Sequence, residues 1–139
     1  MKIAFVSSLQ DRAGQNIRHH LLQLLGSGDP GWQQPDRTYE FIETGGRLIH
    51  AEGIDRKTDA DLLIFISRHA SVNPVSVLTV HITGNFREAE LGGTPRTLAP
   101  CATGMMQAAL RSLARYCPEG YRVSYEVTHH GPTGLDLPS

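Results

Sequence analysis

Asp61-Leu62-Leu63-Ile64-Phe65-Ile66-Ser67 is the stretch that decides the fold. A continuous apolar run of this length between polar segments suits a central strand buried on both faces, as in parallel sheets. Working outward towards the amino end, Lys2 to Val6 reads as a second short buried strand. Ser7, Ser8 and Asp11 then offer capping groups, and Ile17, Leu21, Leu24 and Leu25 recur at helical steps, which predicts an amphipathic helix over about 10–25. Gly26-Ser27-Gly28-Asp29-Pro30-Gly31 ends that helix, and Trp32 to Pro35 is irregular. Tyr39 to Glu43 and Arg47 to His50 flank Gly45-Gly46 as the arms of a hairpin would.

Towards the carboxyl end, Ser76 to Ile82 reads as a strand that stops in Thr83-Gly84-Asn85-Phe86. Arg87 to Ala99, with Gly92-Gly93 and Pro95, reads as a surface loop. Pro100 suits the first turn of a second helix, where its missing N–H costs nothing. Met105, Ala109, Leu113 and Ala114 give that helix its core stripe, Cys117-Pro118-Glu119-Gly120 closes it, and Tyr121 to Val127 is the final strand. Strands alternating with helices imply an α/β sheet with helices on its faces, with ligands beyond the carboxyl ends of strands.

At 139 residues, 40% hydrophobic and 19% charged, the chain is expected to form a single α/β domain over 1–139. A net charge of -1 removes any argument for nucleic-acid binding from overall basicity. No apolar run approaches the roughly 18 residues a membrane span needs, so a soluble, unexported chain without membrane partners is expected. Cys101 and Cys117 lie on one expected helix, where their separation corresponds to roughly 24 Å of rise. That is far beyond disulfide reach, so both are read as thiols in a cytosolic setting.

Three polar clusters follow expected strands: Arg68-His69-Ala70-Ser71, His81 with Thr83-Gly84-Asn85, and Glu126 through Thr133. If those strands are parallel neighbours, His69, His81, Glu126 and one of His129 and His130 meet in one crevice. A lone histidine at a strand end is more often structural than functional; three at successive ends shift that balance. Histidines with a carboxylate suit zinc holding a water, although no His-x-x-x-His or Cys-x-x-Cys spacing is present. On extended backbone His129 and His130 point to opposite faces, which admits one of them at most unless the turn begins early. Gly131-Pro132-Thr133-Gly134 is either an ordinary tight turn or a place where backbone amides and the Thr133 hydroxyl approach a ligand. Thr103-Gly104 is either an anion-receiving helix start or a plain cap. His19, His20, His50 and the scattered arginines read as solvated surface.

In order, Ser67-Arg68-His69-Ala70-Ser71, Val80-His81-Ile82-Thr83-Gly84-Asn85-Phe86, Pro100 with Thr103-Gly104-Met105-Met106, and Glu126-Val127-Thr128-His129-His130-Gly131-Pro132-Thr133 resemble the D-aminoacyl-tRNA deacylases of the archaeal and plant type. The resemblance runs from Lys2 to Ser139, with the last block its most specific part. It implies hydrolysis of the ester joining a D-amino acid to the 3′ end of tRNA, a proofreading activity in the cytoplasm. It also implies a three-layer α/β/α fold with a mixed, mainly parallel sheet, similar to peptidyl-tRNA hydrolases and nucleoside phosphorylases. Zinc is implied as cofactor, with His69, His81 and His129 as ligands. His129, His130, Glu126 and Thr133 carry over as catalytic residues, and Arg68, Ser71, Asn85, Thr103, Gly104 and Gly131 as substrate contacts. Backbone amides near Gly131 or Thr103 are expected to receive the oxyanion. The family fold continues past Leu137-Pro138-Ser139 into a further strand and helices, so the chain is expected to be the N-terminal portion of a longer fold, and a monomer. Two other readings stand beside this one: a non-catalytic module binding a tRNA acceptor end or a nucleotide, and a hydrolase of the same fold acting on another small ester or amide.

Overall fold

The computed structural model describes residues 1–31, 34–68 and 75–139. It is a mixed α/β structure with parallel and antiparallel sheets. Strand β1 (Lys2–Ser8) lies between β2 (Thr38–Thr44) and β3 (Leu62–Phe65), parallel to both. Ile3, Ala4, Val6, Ser7 and Ser8 are buried, so both faces of β1 are covered, as a central parallel strand requires. On one face Phe5 stacks against Tyr39 and Phe41 at 6.1 and 5.3 Å between ring centroids. On the other, Ala4, Val6 and Leu63 form the core with Leu48, Ala51, Ile54, Ala60, Ala99 and Leu135. Leu63 and Val6 are wholly buried, and each such side chain contributes about 1.5–3 kcal/mol of transfer free energy.

The expected hairpin about Gly45-Gly46 does not form. β2 pairs in parallel with β1 along its whole length, and Leu48–His50 is a 3-10 turn. Leaving the sheet after Thr44 lets Leu48 enter the core. The two glycines are held at the end of β1 instead: Gln10 Nε2 donates to Gly45 O at 2.7 Å and Ser8 Oγ to Gly46 O at 2.8 Å.

Helix α1 (Arg12–Gly26) is capped by Asp11, whose Oδ1 accepts the N–H of Ala13 at 3.0 Å. Its expected apolar stripe is offset: Ile17 and Leu24 are 40% and 36% exposed, while Gly14, Arg18, Leu21 and Leu25 face inward. The Arg18 guanidinium covers the Phe41 ring at 5.7 Å, so a cation occupies a position that periodicity alone assigns to a leucine.

A second sheet pairs β4 (Val77–Val80) in parallel with β7 (Arg122–Tyr125), Val80 opposite Tyr125. A parallel pair needs a crossover, and α2 (Thr103–Arg115) lies within it and packs on both strands. That helix starts three residues after Pro100, with Ala102 at the N-cap, so neither Pro100 in the first turn nor Thr103 as cap is realised. Its expected stripe is half-buried at Met105, Ala109 and Leu113 and exposed at Ala114. Three short antiparallel segments, β5 (Gly84–Asn85), β6 (Thr97–Leu98) and β8 (His129–His130), form a small sheet with β5 in the middle. Cys101 and Cys117 are thiols. Among the described residues no helix is long and apolar enough to cross a membrane.

Candidate functional site

Two parallel strands deliver the site's first residues from their carboxyl ends. β4 runs into His81 and β7 into Glu126, and the N–H of Glu126 donates to Val80 O at 3.1 Å, extending the ladder one step. The chain then turns away and returns as β8, antiparallel to β5, with Gly84 opposite His130 and Asn85 opposite His129. The result is a cluster of three imidazoles. His81 stacks on His129 at 5.7 Å between centroids and meets His130 edge to face at 4.7 Å, and His129 and His130 lie 5.0 Å apart.

Both terminal histidines therefore join the cluster, the case expected if the turn begins early. The reason is local: β8 is two residues long, and each ring is turned by its own backbone contact. His129 Nδ1 bonds Val127 O at 2.6 Å, His130 Nδ1 bonds Gly131 O at 2.7 Å, and His81 Nδ1 bonds Ile82 O at 2.8 Å. A carbonyl only accepts, so Nδ1 is the N–H in all three rings, and in the neutral form Nε2 carries the lone pair. That is the tautomer in which an imidazole serves as base or metal ligand at Nε2, with its other nitrogen held by a carbonyl.

Behind the histidines three chain segments cross. Asn85, 1% exposed, donates from Nδ2 to Gly92 O at 2.9 Å and Thr94 O at 3.3 Å, and its Oδ1 has no hydrogen-bond partner among the described residues. Thr94 N–H donates to Thr133 Oγ1 at 2.8 Å, and Gly131 N–H to Leu91 O at 3.2 Å. The crossing admits no side chain. A Cβ on Gly131 would stand 2.5 Å from Gly93 N, and one on Gly92, whose φ is +81°, would stand 2.1 Å from Ile49 O.

Glu52 completes the arrangement. Its carboxylate accepts the N–H of Thr133 at 3.0 and 3.2 Å and that of Gly134, while Gly53 N–H donates to Gly134 O at 3.2 Å. Asp55 Oδ2 accepts the N–H of Asp136 at 2.7 Å. Neither carboxylate was singled out from the sequence, since each meets its partner 81 residues away.

Of the amides expected to receive an oxyanion, near Gly131 or Thr103, those of Gly131, Thr133 and Gly134 already have acceptors. Gly131 donates to Leu91, Thr133 and Gly134 donate to Glu52, and Pro132 has no N–H. The Thr133 hydroxyl, likewise expected to face a ligand, accepts from Thr94 in a residue only 6% exposed. Thr103 and Gly104 line a cavity of about 400 Å³ with Met1, Asp61, Leu62 and Cys101, at the start of β3. Burial there pushes the Cys101 thiol above its ordinary range. Arg68 is exposed, its N–H held by Asp11 Oδ2 at 2.6 Å. His69 and Ser71 lie outside the described residues. Among those described, no three His, Cys, Asp or Glu side chains are arranged to hold a metal ion; the imidazole donors of His81 and His129 are of the type zinc takes.

Residues 56–139 match the family model of D-aminoacyl-tRNA deacylase. The chain is 66% identical over its whole length to a D-aminoacyl-tRNA deacylase of Methanoregula boonei and 55% identical to one of Methanoculleus marisnigri, covering 31% and 32% of those proteins. It thus spans about a third of the length of these curated relatives. Among solved structures, a conserved protein of unknown function, AF0625, superposes with a TM-score of 0.77 at 34% identity, over 99% of this chain and 52% of that one.

Proposed function

The chain belongs to the D-aminoacyl-tRNA deacylase family, and from that premise we propose that its histidine cluster hydrolyses the ester linking a D-amino acid to tRNA. The products are the free D-amino acid and tRNA with its terminal hydroxyl restored, which is a proofreading reaction set in the cytoplasm. The observation that carries the reading is the convergence of His81, His129 and His130 within 5.7 Å at the exit of a parallel strand pair.

Nε2 of His130, or of His129 when no metal occupies that atom, takes a proton from water as its oxygen attacks the ester carbonyl. The same ring returns that proton to the departing ribose oxygen. Glu126, next to His81 at the strand ends, favours the transient imidazolium. Arg68, exposed at the exit of β3, and Ser71 contact substrate, and the unsatisfied Oδ1 of Asn85 suits a donor such as an amine. Zinc is the proposed cofactor, with His69, His81 and His129 as its ligands. When bound, it would supply an acidified water. At the level of the whole fold, the parallel strands β2-β1-β3 and β4-β7 with their helices support a three-layer α/β/α arrangement like that of peptidyl-tRNA hydrolases.

The test is release of D-tyrosine from D-tyrosyl-tRNA by this chain and by a full-length relative. Faster release from the D-ester than from L-tyrosyl-tRNA supports the proposal. Absence of release by the full-length relative, or equal release from both esters, defeats it.

A further inference from the structure

The geometry points to Glu52 as a positioning residue that sets the orientation of the His130 ring. This rests on the proposed deacylase reading for its consequence in catalysis, but the structural link stands on its own contacts. Glu52 is exposed, so its carboxylate is not there to fill the core. It receives the successive N–H groups of Thr133 and Gly134: Oε2 accepts from both and Oε1 from Thr133 as well. Gly53 N–H grips the carbonyl of Gly134 from the same short segment, so residues 52 and 53 hold both backbone polar groups of Gly134 as well as the peptide N–H of Thr133.

From that peptide the path to the ring is short. Thr133 follows Pro132, whose ring leaves little torsional freedom, and Pro132 follows Gly131. The Gly131 carbonyl is the acceptor that fixes His130 Nδ1 at 2.7 Å. Holding the N–H of Thr133 therefore fixes the direction of the Gly131 carbonyl in the adjoining peptide unit, across Pro132, and with it the direction of Nε2 on His130. His129 takes its bond from Val127 O, on the other side of the histidine pair. Glu52 accordingly acts on one histidine of the cluster and leaves the other in place.

The experiment uses the full chain, with its imidazole nitrogens observed by NMR, and compares wild type with Glu52→Ala and Glu52→Gln. Expected are displaced ring resonances of His130 in both variants, larger for alanine, with those of His129 at their wild-type positions. On D-tyrosyl-tRNA, Glu52→Ala is expected to lower kcat about 10- to 100-fold with KM within about twofold, the range a small misplacement of a reacting group produces. Glu52→Gln, which keeps one acceptor oxygen, recovers part of the loss. Unmoved His130 resonances, resonances of both histidines moving alike, or an unchanged kcat would overturn the assignment. If the alanine variant does not fold, the glutamine variant decides by the same readings. If this chain does not cleave D-tyrosyl-tRNA, the ring resonances alone decide the role of Glu52, and the full-length relative decides the deacylase reading.

Discussion

One carboxylate joins the start of α1 to the exit of β3: Asp11 accepts the N–H of Arg68 at 2.6 Å on Oδ2 while its Oδ1 caps the helix at Ala13. The cap and the strand end are therefore a single mechanical unit, and Arg68 leads into the segment that carries His69.

Removing that carboxylate should cost more than an ordinary cap. Asp11→Ala is expected to lower stability by about 2–3 kcal/mol, the sum of a lost N-cap and a lost charged hydrogen bond. Asp11→Asn keeps an acceptor for only one of the two N–H groups and should lose roughly half as much. Urea unfolding measures both, and hydrogen exchange at Arg68 should quicken in parallel.

The three-segment crossing separates glycines that tolerate a methyl group from those that do not. Gly131→Ala and Gly92→Ala place a Cβ within 2.5 and 2.1 Å of backbone atoms and should each cost upwards of about 3 kcal/mol or abolish folding. Gly104→Ala, with nothing within 4 Å in the first turn of α2, should instead stabilise by about 0.5–1 kcal/mol. Thermal unfolding of the three variants in one buffer makes the comparison.

Stability should carry an acidic and an alkaline limb from the amino terminus. Thr58 and Lys2 hold the Glu40 carboxyl below its ordinary value of 4.5, and Lys2 holds Asp59 below 3.8. Both contributions are present above those values and fade as pH falls through the lowered folded ones. Asp59 and Glu40 in turn raise Lys2 above 10.5, a contribution present below that pH and lost as pH rises through the folded value. In Lys2→Met the difference from wild type should be small and constant near neutrality and shrink at both extremes. Strong salt should reduce it, because the pair is exposed.

The histidine cluster should behave as a unit. His81→Gln, His129→Gln and His130→Gln are each expected to lower kcat/KM for D-tyrosyl-tRNA, by about 10²–10⁴-fold for whichever ring is the base. Joining two of them should add much less than the product of the single losses. Metal analysis of chains purified without chelator should find stoichiometric zinc in wild type and in His130→Gln, and none after His81→Gln or His129→Gln.

Elements whose signal is local were legible in the sequence. The Leu62 to Phe65 run could be little but a buried strand, and Asp11 before a periodic segment announced the first helix. Parallel strands end on one side, which brings His81 beside Glu126 as expected, whereas the terminal histidines reach His81 through the antiparallel pairing of β8 with β5. What failed depended on distant partners. Gly45-Gly46 is a strong turn signal, yet the contact that decided the fate of β2 was parallel pairing with β1, which leaves no mark on nearby residues. Arg18 took an inward place because Phe41 offered it a ring face. Glu52 and Asp55 were invisible for the same reason, being ordinary carboxylates until the last ten residues of the chain settle on them.

The crossing at Ile49, Gly92 and Gly131 also bears on when the site comes into being. Its contacts join stretches about forty residues apart, and closing loops of that size is the slow part of folding. The strands β1, β2 and β3 come from the first half of the chain, but their core takes Ala99 and Leu135 from the second, and Leu135 follows directly on the segment that carries the imidazoles. The sheet and the histidine cluster therefore become stable together, once the stretch from Gly131 to Leu135 is in place.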